Sequence, residues 1–314
     1  MIMKFYITTP TLFKSTLSLF AAFLMFCSGA AAQCETYCYA VLDGADSLLM
    51  DVYRPALPRA DKAAVVYMHG GAFRTGTRAD SIDAETCRLL AQQGFLAVSI
   101  DYRLGAKGIK MDTINVHNAI STVSRVFRIA VEDFCASVSF VVGHSAEWGI
   151  DESKIFFMGS SAGAITVLQT DYCRANQLPW VSELPQGFKP AGVISYAGAI
   201  FSTNGDVRYK SAPAPTLFFH GTSDHIVIYD QYLVLNYRFS GTNRLVKSFN
   251  RGKYPYWFYR MKDRHHEVSC LMPLTPEIVT DFANAVSKQS VGQYIFDYQN
   301  SELKTPEWAK GGLF

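Results

Sequence analysis

Ser161 stands at the centre of Gly159-Ser160-Ser161-Ala162-Gly163, a G-x-S-x-G pattern that can lift a hydroxyl out of the backbone for nucleophilic attack. The apolar run Ile155-Phe156-Phe157-Met158 leads straight into it. The stretch therefore reads as strand, sharp turn and helix, with Ser161 rather than Ser160 at the tip. Glycines flank such a turn because a side chain there would meet the tight backbone. A serine hydroxyl is a weak nucleophile at neutral pH. It needs a base to take its proton, an acid to orient that base, and donors for the oxyanion. Both side chains occur downstream, each just past a predicted strand. Residues 216–219 run into His220-Gly221-Thr222-Ser223-Asp224, and residues 256–261 into Lys262-Asp263-Arg264-His265-His266-Glu267. Asp224 is the candidate acid, with Asp230 competing, and one of His265 and His266 is the candidate base.

These groups need a scaffold that brings distant strand ends together. Residues 37–42 and 47–53, separated by Asp43-Gly44-Ala45-Asp46, predict an antiparallel hairpin at a sheet edge. Residues 63–68 and 95–100 are apolar runs that need burial on both faces, as parallel strands do. The first ends in His69-Gly70-Gly71-Ala72-Phe73 and the second in Asp101-Tyr102-Arg103-Leu104. Further strands are predicted at 154–158, 192–196, 216–219 and 256–261. Helices are predicted at 80–93, 116–147 (long, with room for a break), 162–172, 230–239 and 276–288. Residues 289–314 show no clear pattern. The alternation predicts the α/β class, a largely parallel sheet with helices on both faces. No repeat or linker interrupts it, so residues 33–314 are expected to form one domain.

Composition narrows the function. With 49% apolar residues in 314, the chain can bury a sizeable core. Lys4 and Lys14, an apolar run over 17–26 and Ser28-Gly29-Ala30-Ala31-Ala32 predict a signal peptide over residues 1–32, cleaved to leave Gln33 first. That implies a secreted or periplasmic protein, and the run is too short for a stable membrane span. Lipid anchoring through Cys27 or Cys34 is the rival, disfavoured by the preceding Phe26 and Gln33. Loss of Lys4 and Lys14 would balance the basic and acidic residues, which leaves no electrostatic case for nucleic acid. Cys34, Cys38, Cys87, Cys135, Cys173 and Cys270 remain, and some disulfides are expected among them. Their spacing lacks zinc-type pairing, so no metal is expected.

Taken together, HGGAF at 69–73, DYRL at 101–104, GSSAG at 159–163, HGTSD at 220–224 and HHEV at 265–268 resemble the α/β-hydrolases of the bacterial carboxylesterase and lipase group. They are similar to the HGGG-carrying branch and to secreted feruloyl or acetyl esterases. The resemblance implies the α/β-hydrolase fold, with a mostly parallel eight-stranded sheet and helices on both faces. It implies a serine esterase using Ser161, Asp224 and His266 through an acyl-enzyme, with no cofactor and a small-molecule or carbohydrate-linked ester as substrate. His266 is favoured over His265 because the family's histidine precedes Glu or Gly, although the glycine that usually comes before it is missing here. The N–H groups of Gly71, Ala72 and Ala162 would bind the oxyanion, and Ala72 stands where HGGG has its third glycine. His69 is expected to shape that loop, His220 and His225 to set the loop of the acid, and Asp101 and Arg103 to pair or order the end of their strand. The pocket walls are expected from residues 74–82, 105–114, 176–190 and 202–214. Tyr254, Tyr256, Trp257, Phe258 and Tyr259 read as strand burial, with a carbohydrate-stacking platform as the lesser reading. Two other functions are compatible with these motifs. A serine peptidase of the prolyl-oligopeptidase type shares the triad order but usually carries a propeller, for which this chain is expected to be too short. A non-catalytic binding protein on the same fold tends to have lost a triad member.

Overall fold

The computed structural model describes residues 33–42, 46–115, 117–203, 205–234 and 236–299. The signal peptide expected at 1–32, most of the hairpin turn at 43–45 and the tail 300–314 lie outside them. β1 (Gln33–Val41) and β2 (Ser47–Arg54) pair antiparallel, and β2 joins the sheet antiparallel to the strand Leu96–Ile100. The next strands in the chain, β3 (Ala64–Met68), β4 (Leu96–Ile100), β5 (Ile155–Ser160) and β6 (Gly192–Tyr196), are fully buried, as their unbroken apolar runs require.

Helices cover both faces. α1 (Ser81–Gln92) packs on one; α2 (Ala119–Gly143), the one-turn α3 (Ser145–Trp148) and α4 (Ala162–Asn176) lie on the other. The long helix predicted over 116–147 is thus broken at His144.

The prediction of a helix over 230–239 is wrong. β7 (Ala199–Ser202) precedes β8 (Thr216–Gly221), and β9 (Gln231–Val234) and β10 (Tyr237–Gly241) pair antiparallel. With β7 they make a small antiparallel sheet in the order β7-β10-β9. Aromatic and β-branched residues suit strands, and Phe239 sits directly opposite Phe201 in this one. The helix comes later, as α5 (Thr242–Gly252), where Leu245, Val246 and Phe249 supply the buried stripe. β11 (Tyr256–Met261) and α6 (Pro276–Ser287) fall where expected. The unread stretch beyond 289 contributes β12 (Gln293–Tyr298), parallel to β11, so the main sheet has nine strands rather than eight, in the order β1-β2-β4-β3-β5-β6-β8-β11-β12.

One row of rings crosses four neighbouring strands in register. Tyr196 on β6 stacks on Phe219 of β8 at 4.4 Å, Phe219 on Tyr259 of β11 at 5.0 Å, and Tyr259 on Phe296 of β12 at 4.7 Å. The aromatic cluster of β11 is therefore used inside the sheet. The expected disulfides are not formed: all six described cysteines are free. Cys34 and Cys38 are exposed, four positions apart on one extended strand, and Cys87, Cys135 and Cys173 are buried in three different helices.

Candidate active site

At the tip of β5 the chain turns so sharply that Ser161 adopts φ 50 and ψ −114, a conformation side chains rarely occupy. A Cβ at Gly159 would lie 2.4 Å from the backbone of Gly163, and one at Gly163 would lie 2.0 Å from the Met68 carbonyl oxygen. Those two approaches explain the flanking glycines: backbone meets backbone on both sides of the turn. Ser161 N–H donates to the Tyr196 carbonyl at 2.9 Å, and Ile165 N–H closes the first turn of α4 on the Ser161 carbonyl at 2.9 Å. Ser160 is engaged elsewhere, its hydroxyl donating to the Ser269 carbonyl at 2.6 Å.

Three side chains predicted from sequence meet here. Ser161 Oγ lies 2.8 Å from His266 Nε2, and His266 Nδ1 lies 2.8 Å from Asp224 Oδ2. Asp224 is 1% exposed; its Oδ1 accepts the backbone N–H groups of Ile226 at 2.9 Å and Val227 at 3.0 Å. Burial alone would raise its pKa, but hydrogen bonding and charge interaction with His220 and His266 win and hold it well below the usual carboxylate range. A hydroxyl so placed can pass its proton to the imidazole as it adds to a carbonyl, while a carboxylate beyond the ring fixes the tautomer. His265 faces away, its ring 6.1 Å from that of the exposed His225. Asp230 is also elsewhere, accepting from Asn243 Nδ2 at 2.9 Å.

The loop after β3 runs past the serine. Gly71 has φ 97, and a Cβ there would lie 2.0 Å from the Thr75 carbonyl oxygen; Ala72 and Phe73 follow at φ 53 and 59. Two consecutive non-glycine residues in the left-handed region need outside support. Tyr102 Oη donates to the Gly70 carbonyl at 3.0 Å, Ala106 N–H to the Phe73 carbonyl at 3.0 Å, and the Arg74 guanidinium to the Ile109 carbonyl. Among the described residues no protein acceptor takes the N–H groups of Gly71, Ala72 or Ala162. His69 is buried under this loop, with Nδ1 2.8 Å from the Gly70 carbonyl and its ring 4.5 Å from that of Tyr102. Asp101 and Arg103 do not pair with each other. Asp101 takes Arg78 at 2.6 Å and Arg103 takes Asp133 at 2.6 Å, so each ties the strand end to a different segment.

The cleft over Ser161 has a volume of about 670 Å³. Of the four expected wall segments only 74–82 lines it; the rest of the wall comes from the 69–72 loop, Asp83, Ile226 and, after the histidine, Ser269, Cys270 and Met272. Residues 105–114 act indirectly, by anchoring Arg74. Sequence reasoning missed Asp83, a 5% exposed carboxylate on this wall that accepts from the Tyr67 hydroxyl. It looked like any aspartate in a first helical turn. Burial, opposed by that hydrogen bond and reinforced by the charge of Asp80, pushes its pKa up from 3.8 to about 6.

The unfolded chain gives up this proton near pH 3.8 and the folded chain only near pH 6. The stability linked to the neutral acid is therefore full below the lower value and lost as pH rises through the upper one. Asp83→Asn, which can still accept from Tyr67, is expected to unfold like the wild type at pH 4. At pH 8 it should be more stable by about 2 kcal/mol. Paired thermal melts at the two pH values check this, and an equal effect at both would refute it.

A family model described as BD-FAE matches residues 50–177. Para-nitrobenzyl esterase of Bacillus subtilis is 25% identical over 122 residues, covering 39% of this chain and 24% of that protein. A probable isoprenylcysteine alpha-carbonyl methylesterase of Arabidopsis thaliana is 30% identical over 116 residues, covering 37% and 20%. The chain thus spans at most about a quarter of the length of these relatives. Among solved structures, Thermogutta terrifontis esterase 2 phosphoramylated by tabun superposes with a TM-score of 0.60 at 20% identity, over 82% of this chain and 96% of that one. A truncated carbohydrate esterase from gut microbiota gives 0.57 at 15%, over 82% and 98%. The nine-stranded sheet, the strand-turn-helix at Ser161 and these superpositions agree on one architecture: the chain has the α/β-hydrolase fold, and its residues 50–177 match the BD-FAE family model.

Proposed function

We propose that this protein is a serine hydrolase that cleaves carboxylic esters through an acyl-enzyme, with residues 33–314 as its catalytic domain. The observation that carries the reading is the unbroken chain of 2.8 Å contacts from Ser161 Oγ through His266 to Asp224, at the floor of an open cleft. Ser161 Oγ adds to the ester carbonyl while His266 Nε2 takes its proton. The imidazolium, held by Asp224, then gives that proton to the departing alcohol. Water repeats the sequence on the acyl-enzyme and returns Ser161. The N–H groups of Gly71, Ala72 and Ala162 take the oxyanion, each such donor contributing about 2.7–4 kcal/mol to the transition state. That none of the three is taken by an acceptor among the described residues supports this role.

The substrate class we infer is a small-molecule or carbohydrate-linked ester, in keeping with the esterases and the carbohydrate esterase to which the chain is similar. Turnover of short p-nitrophenyl esters and labelling by a fluorophosphonate, each compared with Ser161→Ala, test the activity. A wild type that neither turns over nor labels would overturn it. We further propose that residues 1–32 direct export and are removed, giving a secreted or periplasmic enzyme. N-terminal sequencing of protein exported by a bacterial host should start at Gln33. A lipidated Cys34 would instead mark an anchored protein, and an intact Met1 would end the export reading.

A further inference from the structure

Beyond the three groups of the proposed relay, His220 is wholly buried at the end of β8, with both ring nitrogens engaged. Nε2 lies 3.0 Å from the Val227 carbonyl and 3.4 Å from Asp224 Oδ2; Nδ1 lies 2.8 Å from Thr242 Oγ1, at the first residue of α5. A carbonyl oxygen and an ionised carboxylate only accept, so Nε2 must carry the hydrogen. In the neutral ring Nδ1 is then an acceptor, and the Thr242 hydroxyl is its donor.

Val227 links the two halves of this arrangement. Its N–H donates to Asp224 Oδ1 at 3.0 Å while its carbonyl accepts from His220, so the 220–227 loop is closed around the carboxylate. Asp224 Oδ2 consequently faces two imidazoles, His266 at 2.8 Å and His220 at 3.4 Å. The shorter contact is a full hydrogen bond and the longer one a weaker share of a forked donor. Both carboxylate oxygens are therefore held, Oδ1 by two backbone N–H groups and Oδ2 by two imidazoles.

We propose that His220 is a positioning residue for the acid. Its Nε2–H, set in that tautomer by the Val227 carbonyl and the carboxylate itself while Thr242 holds Nδ1, fixes the Asp224 carboxylate where His266 Nδ1 meets it. This rests on the proposed hydrolase reaction, since it assigns a role relative to the acid of that reaction.

His220→Leu removes the donor, and His220→Gln keeps one, because the glutamine amide nitrogen reaches about where Nε2 lies. With a p-nitrophenyl ester that the wild type hydrolyses, His220→Leu is expected to lower kcat about 10–100-fold with KM within about twofold. The acidic limb of its kcat/KM profile should move to higher pH, because an Oδ2 freed from His220 bonds His266 more strongly in its charged form. His220→Gln should recover most of the rate. Should His220→Leu fail to fold, Thr242→Val, which leaves the ring but removes the hydrogen-bond partner of Nδ1 and so loosens its orientation, should show the same change in kcat and profile at smaller amplitude.

Unchanged kcat and pH profile in a folded His220→Leu, or in Thr242→Val where that variant alone folds, overturns the proposal. So does an equal loss in folded His220→Leu and His220→Gln, which would assign the effect to ring packing. A wild type without turnover fails the hydrolase reading itself, a result distinct from either.

Discussion

Ser161→Ala is expected to reduce ester turnover about a millionfold in kcat, leaving only the acceleration that binding and oxyanion donors give without a nucleophile. The size follows from how completely the chemistry passes through one oxygen. Ser160 is next in sequence, yet its hydroxyl is committed to the Ser269 carbonyl and it is Ser161 that meets the imidazole, so Ser160 cannot substitute. Alanine occupies no more space than serine, and the backbone bonds from residue 161 to Tyr196 and Ile165 do not involve the hydroxyl. The variant should therefore fold and still bind ester in the cleft. Three readings should agree: no burst of p-nitrophenol, no label from a fluorophosphonate, and a melting temperature close to that of the wild type. A variant that keeps a tenth of the activity would remove Ser161 from the mechanism.

Asp224→Asn should cost about four orders of magnitude in kcat for a reason visible in the loop. Oδ1 accepts two backbone N–H groups, from Ile226 and Val227, so the introduced amide must put its carbonyl oxygen there. Its NH2 group is then turned towards His266 Nδ1. A ring nitrogen facing a donor must accept, which moves the hydrogen of His266 to Nε2 and points it at Ser161 Oγ. The base becomes a donor to the group it should deprotonate. Since Asp224 in the wild type is held well below the usual carboxylate range, no loss of activity near neutral pH should come from its protonation. A loss smaller than about tenfold in the folded variant would mean that another group orients His266.

Much of this site was legible because it is written in short local patterns at strand ends. Ser161 could be chosen over Ser160, and Asp224 over Asp230, from their offsets to predicted strands. His266 needed the family resemblance, because two adjacent histidines differ only in which way an irregular turn points them. The cleft walls were misjudged for a related reason. Residues 176–190 were expected in the wall and do not line the cleft, whereas Ser269, Cys270 and Met272, carried by the 3-10 turns that start at His266, do. The strands at 231–234 and 237–241 were missed because their apolar spacing admits a helix until the partner strand Ala199–Ser202 is known. Asp83 carried no local signal at all, since its meaning comes from Tyr67, distant enough in sequence that only the fold joins them.

The stacked rings of Tyr196, Phe219, Tyr259 and Phe296 bear on how the machine keeps its alignment. Tyr196 holds the backbone of the nucleophile, Phe219 immediately precedes His220, and Tyr259 lies on the strand that delivers His266. The row therefore works as a spacer bar beneath three strand ends, setting their heights against one another. Its last ring belongs to a strand that touches none of the chemistry. The stretch of sequence least readable at the outset thus supplies the outer bearing on which the working parts are levelled.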